Sequence, residues 1–502
     1  MLKTSRGTKR SMSGVLVGAA LSLAAGSVLA ATQFQTDVST AINNGLNYLA
    51  TNGVFSNPSS LGVNSAQGVA MEALLEKRAS GNPADPPSGY SGAVAADKAL
   101  LKTAAAYILT SAPPESFYAY RDGSWMFALS GYALTAGPDK SVLAPANVAY
   151  KTIKQTMDAL VDRTIAAQTL SGACKGFWGY SSAGCDSSTT QYAAAGLNAA
   201  RVFYQSVKSA DDPFADPVRA ALIDTALAST RAGYALNGKA GSDNPACSAV
   251  TATEKGIGYQ ATGYNPSLQQ TASGIYIQLF GGADVNDPSL QHYMEWVKNH
   301  YRYTDLDNMG NSWPTLSHGY YLWSSFKGME LIRQSGVAVN PGNVGPNDYG
   351  TVAPNAACTF RQVSLVPAAK PQPAVFGGAA AGVYSAETAG QYFDYAYTLI
   401  NMQCATGAFT CTGYQGSWEG GVNASHNSYA LLVLQRATGV VQTKCDVNGD
   451  GKVDITDIKA IMAGIGKPPS AGDPRDYNGD GVINIVDVRQ CTLQCTNAKC
   501  AP

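Results

Sequence analysis

Two stretches near the end of the chain place oxygen-bearing side chains at the spacing that a hard divalent cation needs. In the first, Asp446, Asn448, Asp450, Asp454 and Asp457 fall at loop positions 1, 3, 5, 9 and 12, with Lys452 at position 7. Thirty residues later Asp476, Asn478, Asp480, Asn484 and Asp487 repeat the pattern, with Val482 at position 7. Gly451 and Gly481 stand at position 6, where such a loop turns sharply. Position 7 ligates through its backbone carbonyl, so Lys452 and Val482 are compatible there. Calcium takes roughly six to eight oxygen ligands, and this spacing supplies them. The expectation is two bound Ca2+ ions. Residues 445–490 hold eight Asp against five Lys or Arg, a net charge of −3. Two calcium ions reverse that sign, so the metal should decide whether the segment folds.

A second group of residues has the types needed for acid–base work. Asp122, Asp186 and Glu419 each precede or open a stretch rich in small residues. If such stretches share one face of the molecule, the three carboxylates rim one mouth, as a glycan-cleaving enzyme requires of a facing pair. His426, just ahead of Asn427-Ser428-Tyr429, is the fourth candidate. The competing reading makes Asp186 a helix cap, leaves Glu419 in solvent, and makes His426 a cap or packing residue. No Gly-x-Ser-x-Gly elbow or phosphate-binding Gly signature occurs in the chain.

The elements that position these residues follow from periodicity. Between about 34 and 440, helical patterns alternate with Gly-rich loops. Gly45 to Leu49 and Leu100 to Leu109 have apolar positions three and four apart, the mark of an amphipathic helix. Small-residue runs recur at Ser65–Ala70, Thr190–Ala195, Gln269–Gly274 and Asn427–Leu432. Trp-bearing segments, read as loops, lie at Asp122–Trp125, Gly176–Gly179, Gly310–Trp313 and Gln415–Trp418. Helices small on all sides suit an inner layer, and amphipathic ones an outer layer. Five steps of 72 residues carry Gln67 to Asn427, implying about six pairs. Such an array closes on itself without capping repeats. The expected fold is all-α: a closed α/α toroid of about six helix pairs over 34–440, with an irregular, Pro- and Gly-rich insertion at 338–388. A small C-terminal double F-hand calcium module follows at 444–502.

The Gly-Ser-Trp segments followed by small-residue helices resemble the repeats of the terpenoid cyclase and protein prenyltransferase superfamily. Asp122-Gly123-Ser124-Trp125 and Gln415-Gly416-Ser417-Trp418-Glu419-Gly420-Gly421 are similar to the Gln/Trp motifs of squalene–hopene cyclases. The resemblance spans roughly four-fifths of the chain. A cyclase of that kind needs an Asp-x-Asp-Asp acid; the nearest match is Asp305-Leu306-Asp307-Asn308. A prenyltransferase β-subunit holds zinc with Asp, Cys and His; His426 matches its His, while His318 and Tyr320 replace the others. The Cys-Gly-Glu-Gln thioester of complement-like toroids is absent. The two Asp-rich loops, each followed by a short helical stretch, resemble a type I dockerin, which implies calcium and a cohesin-like or cell-surface protein partner. Dockerins read that partner at loop positions 10 and 11, here Ile455-Thr456 and Ile485-Val486 instead of small hydroxylated pairs.

Residues 1–30 have a basic start, an apolar stretch from Val15 to Ala25 and Val28-Leu29-Ala30, the pattern of a signal peptide cleaved after Ala30. Later segments fall short of the ~20 apolar residues that span a bilayer, so no membrane span is expected in the mature chain. The expected compartment is extracellular or periplasmic. The 502 residues carry a net charge of −1, and removing Lys3, Arg6, Lys9 and Arg10 leaves −5. That excludes a nucleic-acid binder relying on global positive charge. Charged residues are 14% against 45% hydrophobic, which excludes a disordered chain. Ten cysteines in an exported protein predict disulfides. Cys174 with Cys185 and Cys404 with Cys411 flank short loops; Cys445, Cys491, Cys495 and Cys500 crowd the C-terminal segment, leaving Cys247 to Cys358. Zinc at Cys491, Cys495 and Cys500 is the rival reading of that cluster. The functions to weigh are therefore three. The leading one is a calcium-dependent, non-catalytic binding or assembly protein, with a glycan or apolar ligand in the toroid. A secreted polysaccharide hydrolase or lyase with a dockerin is the alternative, and a terpene cyclase comes last.

Overall fold

Helices of two compositions alternate along the chain, and their ends are secured in different ways. A computed structural model of the chain describes residues 31–56, 66–78, 87–111, 116–139, 152–205, 214–306, 316–335, 337–437, 445, 447, 453–467, 473–477, 482–492, 495 and 500. The proposed signal peptide and the Gly310–Trp313 segment lie outside those residues. Among them are fourteen α-helices: α1 Gln33–Thr51, α2 Ala66–Leu75, α3 Ala95–Ser111, α4 Ala119–Leu134, α5 Ile153–Ala166, α6 Ser187–Gln205, α7 Pro217–Asn237, α8 Leu268–Phe280, α9 Pro288–Asn299, α10 His318–Ser335, α11 Gln391–Met402, α12 Ala424–Leu434, α13 Ile455–Gly464 and α14 Ile485–Thr492. The described residues are predominantly α-helical, with one two-stranded antiparallel ribbon among them, Lys370–Pro371 with Val383–Tyr384.

Up to α12, the odd-numbered helices are the amphipathic ones. α1 buries Phe34, Val38, Ala41, Ile42, Leu46 and Leu49, one face at three- and four-residue spacing. Four of them carry side-chain caps at their N-termini. Thr32 and Thr152 form capping boxes with Gln35 and Gln155, and Asp216 and Asp287 cap α7 and α9 ahead of Pro217 and Pro288. The even-numbered helices are buried on all sides: every residue of α2 and α12, and 17 of the 19 residues of α6. A helix apolar or small all round has no solvent face and must sit among other helices.

The even-numbered helices pack in cyclic order: α2 on α4, α4 on α6, α6 on α8, α8 on α10, α10 on α12, and α12 back on α2. The odd-numbered helices lie against them from outside, α1 touching both α2 and α12. Glycine sets the closest crossing. A Cβ on Gly123 of α4 would stand 2.2 Å from the Tyr192 carbonyl oxygen of α6, and one on Gly196 would meet the Gly123 backbone at 2.7 Å. Asp122–Trp125, expected as a loop, lies within α4, which begins at Ala119; its Gly serves close helix packing instead of a turn. Spacing between successive even-numbered helices is uneven, 50 residues from Leu268 to His318 and 106 from His318 to Ala424. The long step contains 338–388, which holds short 3-10 turns and the ribbon.

Where the even-numbered helices converge, the centre is filled with rings. The Tyr192 and Tyr429 hydroxyls bond each other. Trp323 stacks on Tyr429 at 5.3 Å and meets Tyr192 at 5.9 Å. Tyr276 bonds Gln191 from α8.

A second, separate cluster of buried apolar residues joins α13 and α14 through Val453, Ile458, Ile461, Ile483 and Val488. All ten cysteines are paired: Cys174–Cys185, Cys247–Cys358, Cys404–Cys411, Cys445–Cys491 and Cys495–Cys500. The three pairings expected in the helical body are present. With Cys491, Cys495 and Cys500 in disulfides, their sulfurs are not free thiolates and the zinc reading of that cluster is withdrawn. No described helix is long and apolar enough to cross a membrane.

Candidate functional site

The first turns of the even-numbered helices meet. Tyr120 of α4 donates to Ser188 Oγ of α6 at 2.7 Å, and Ser187 Oγ donates to Gln270 of α8 at 2.7 Å. Tyr320 of α10 donates to the Ser188 carbonyl at 3.3 Å, and Gly319 of α10 lies against His426 of α12. The carboxylates singled out in the sequence all stand at these starts, where backbone N–H groups lack helical partners. Each is engaged there.

Asp122 is fully buried. Arg163 grips it with two bonds, Nε to Oδ2 at 2.6 Å and Nη2 to Oδ1 at 2.7 Å, and Arg121 Nε adds a third at 2.9 Å. Held by two guanidinium groups, this carboxylate ties α4 to α5. Asp186 accepts from Ser188 N at 2.8 Å, Thr189 N at 3.1 Å and Ser188 Oγ at 2.5 Å. It is the N-terminal cap of α6; burial pushes its carboxyl up despite those bonds.

Glu419 departs from both expectations. It is half-buried, not in solvent, and accepts the Ser425 N–H at 2.8 and 3.0 Å. Burial pushes its carboxyl up to about 7, against the hydrogen bonds from Ser425 and His426. His426 is buried in the first turn of α12, and its Nε2–H donates to the Phe409 carbonyl at 2.8 Å. His318, at the start of α10, donates to the Tyr303 carbonyl at 2.9 Å in the same way. Burial pushes both imidazoles down to about 4, so both are neutral near pH 7. With the proton on Nε2, the His426 Nδ1 is left as an acceptor. Asp305 of the nearest acid-motif match is paired with Arg302, and its other residues Asp307 and Asn308 lie outside the described residues.

A narrow cleft opens between the starts of α10 and α12, lined by Gly319, Tyr320, Trp418, Glu419, His426 and Tyr429 among others. A second cleft lies beside Cys247, Trp296 and His300. There His300 stacks on Trp296 at 3.9 Å and donates Nε2–H to Glu254 at 3.0 Å. Cys247, His300 and Cys358 bring their ligand atoms within 4.8 Å of one another, but the sulfurs form a disulfide.

Sequence reasoning missed one buried cluster. Lys327 of α10 is 2% exposed, with Nζ 4.8 Å from the Trp323 ring, 5.1 Å from Tyr276, 5.5 Å from Phe280 and 6.0 Å from Phe127. Glu72 of α2 and Glu76, just past its end, face it electrostatically. Burial pushes Lys327 down to about 8 and Glu72 up. The signal was present: Glu72 and Glu76 are the charged residues of a stretch otherwise apolar all round.

The C-terminal loops place the position-12 carboxylates identically. Asp457 accepts from Val447 N at 2.7 Å and Asp454 N at 2.9 Å; Asp487 accepts from Tyr477 N at 2.9 Å and Asn484 N at 2.8 Å. Position 9 repeats as well: Asp454 takes Thr456 N and Asn484 takes Val486 N, both at 2.7 Å, capping α13 and α14. Each Asp457 and Asp487 oxygen accepts one of these N–H groups. The donor chemistry, all oxygen, fits calcium. Asp476 is buried and Val482 exposed. Asp446, Asn448, Asp450, Lys452, Asn478 and Asp480 lie outside the described residues.

Comparison with known proteins found no matching family model, curated protein or solved structure.

Proposed function

We propose that this protein is an exported, calcium-dependent binding and assembly protein: a non-catalytic closed α/α toroid of six helix pairs, of the terpenoid cyclase and prenyltransferase kind, carrying a dockerin-like module. The observation that carries the reading is the hydrogen bonding of Asp457 and Asp487, alike at two positions thirty residues apart. Two loops built alike around a position-12 carboxylate suit two like ions. In this reading Asp446, Asn448, Asp450, Asp454 and Asp457 hold one ion with the Lys452 carbonyl. Asp476, Asn478, Asp480, Asn484 and Asp487 hold the other with the Val482 carbonyl. The bound ions neutralise the loops and so stabilise the fold.

The closed toroid is supported by the packing order that runs from α2 through α12 back to α2. Its non-catalytic character is supported by Asp122 and Asp186 being engaged as anchor and cap, and by the rings that fill the centre. Ile485 and Val486, at the positions where dockerins read their partner, are 67% and 46% exposed. They suit docking to an apolar surface on a cohesin-like or cell-surface protein. The five disulfides agree with an oxidising compartment outside the cytoplasm.

Calorimetry of the full chain with calcium and with chelator tests the reading. Chelation should abolish or lower a separate transition from the 445–490 module and leave the main one in place. A trace unchanged by chelator overturns the calcium assignment. Incubation with a panel of glycans and polyisoprenoids tests the rest: product formation lost on Asp186→Asn or Glu419→Gln overturns the non-catalytic assignment.

A further inference from the structure

Among the described residues two aromatic rings are exposed, Tyr180 at 38% and Tyr264 at 53%. Tyr180 lies in the loop that leads into α6, Tyr264 in the loop that leads into α8. Tyr259 joins them: its hydroxyl stands 2.9 Å from that of Tyr180, and its ring meets Tyr264 nearly at right angles, 5.7 Å between centres. Tyr120 and Tyr118 adjoin Tyr180, with ring centres 5.8 and 6.4 Å from it. Apolar surface gathered in one exposed place marks a site of contact with something else.

Both loops are fixed in place. The Cys174–Cys185 disulfide closes the first, and the Ala119 N–H holds the Tyr180 carbonyl at 2.8 Å. The second is tied to it where Ala261 N donates to the Cys185 carbonyl at 3.0 Å and Ser187 N to the Tyr259 carbonyl at 2.9 Å. Tyr264 N turns back to the Gln260 carbonyl at 3.2 Å, and a Cβ on Gly258 would stand 2.5 Å from the Tyr264 carbonyl oxygen. Rings on backbone already so ordered lose little freedom when a ligand settles on them.

The chemistry around the rings is uncharged. Residues 116–120, 179–185 and 258–267 include no Asp, Glu, Lys or Arg, and Asp186 is 5% exposed and engaged as the α6 cap. The exposed residues Ser181, Ser182, Gln260, Thr262 and Asn265 bring hydroxyl and amide groups, which both donate and accept. A nucleic acid or an acidic glycan needs cationic partners, and a protein would find no charges here to set its register. A neutral saccharide asks for what is present: its hydroxyls donate and accept, and its slightly positive C–H faces sit on the negative face of an aromatic ring. We propose that Tyr180 and Tyr264 form a platform for a neutral glycan chain, whose sugar rings stack on the exposed tyrosine faces while the amides of Gln260 and Asn265 bond its hydroxyls.

The platform is part of the toroid and rests on the reading of the toroid as a binding element. Isothermal titration of the full-length protein with cellohexaose and with xylohexaose, beside the hexamer of galacturonate as the anionic control, tests it. A neutral hexamer should bind and the anionic one should not, a comparison that needs no variant. Tyr180→Ala and Tyr264→Ala should each weaken binding about tenfold, and Tyr264→Phe, which keeps the ring, by less than about threefold. Both rings are exposed, so these variants should keep the wild-type melting curve. Chelator should leave binding in place, because the two tyrosines lie outside the calcium loops. No binding of either neutral hexamer, equal or tighter binding of the anionic one, binding unchanged in both Ala variants, or binding lost on chelation overturns the proposal. So does light scattering that finds a dimer dissolved by the same Ala variants, which would make this face an interface between two copies. Those outcomes leave the calcium calorimetry untouched. Shortened oligosaccharides detected by mass spectrometry would overturn the non-catalytic reading and leave the platform standing.

Discussion

Acid should weaken this fold through two histidines in matching places. His318 and His426 open α10 and α12, and each donates Nε2–H to a loop carbonyl in a buried setting. Burial pushes both down to about 4 from an unfolded value of 6.5. Between those limits the unfolded chain binds more protons than the folded one, so stability rises with pH there and is lost as pH falls. A depression of that size corresponds to about 3 kcal/mol per histidine. Most of that, about 3 kcal/mol each, is lost on going from pH 7 to pH 4. Glu419 acts in the opposite sense, since its carboxyl is pushed up to about 7 and the folded state gains a proton first. It contributes about 3 kcal/mol of relief over the same range. The net expectation is a fall of about 3 kcal/mol from this trio. Urea unfolding followed by tryptophan fluorescence from pH 4 to pH 8 measures the slope. His318→Gln/His426→Gln keeps a donor for each carbonyl and should flatten the acid limb by about 6 kcal/mol, so the double variant becomes more stable in acid relative to neutral pH. If wild type and double variant lose stability in parallel between pH 6.5 and pH 4, the buried neutral histidines are not the cause and the reasoning fails.

Other perturbations follow from single contacts. Gly123→Ala drives a methyl to 2.2 Å from the Tyr192 carbonyl and should cost about 1–3 kcal/mol or more in chemical denaturation, whereas Gly390→Ala, with nothing within 4 Å, should be near neutral. Lys327→Met strips the ammonium from Glu72 and Glu76 and should destabilise by about 3–5 kcal/mol, more at pH 8 than at pH 6. Adding Glu72→Gln should recover part of that loss, and the urea midpoints of single and double variants check it. Asp457→Ala removes the acceptor of two backbone N–H groups along with a calcium ligand; calorimetry should find the module's calcium-dependent transition lost and the main one retained.

Much of the helical body was legible because its signals are local. Amphipathic spacing marks α1 and α3, and runs of Ala, Gly and Ser mark α2, α6, α8 and α12. The Trp-bearing segments were harder. Gly176–Gly179 and Gln415–Trp418 are loops, but Asp122–Trp125 is helical, because its Gly faces a neighbouring backbone and no turn requires it. Nothing within those four residues distinguishes the two uses of glycine. The candidate acids were found by type yet misjudged by role. Asp122 meets Arg163, forty-one residues away, and Glu419 shares a cleft with residues distant in sequence, Leu316 and Tyr320.

Composition and spacing by themselves determined the all-helical class, the two alternating helix types, the three disulfides of the helical body and the oxygen-rich loops behind it. These depend on one residue's relation to others within a turn or a short loop, or on the small number of partners a cysteine has. Only the tertiary structure decided which charges are neutral, which carboxylates are anchors, and that Lys327 lies among four rings. Those properties arise from desolvation and from groups brought together across hundreds of residues, and burial has no counterpart in the order of residues along a chain.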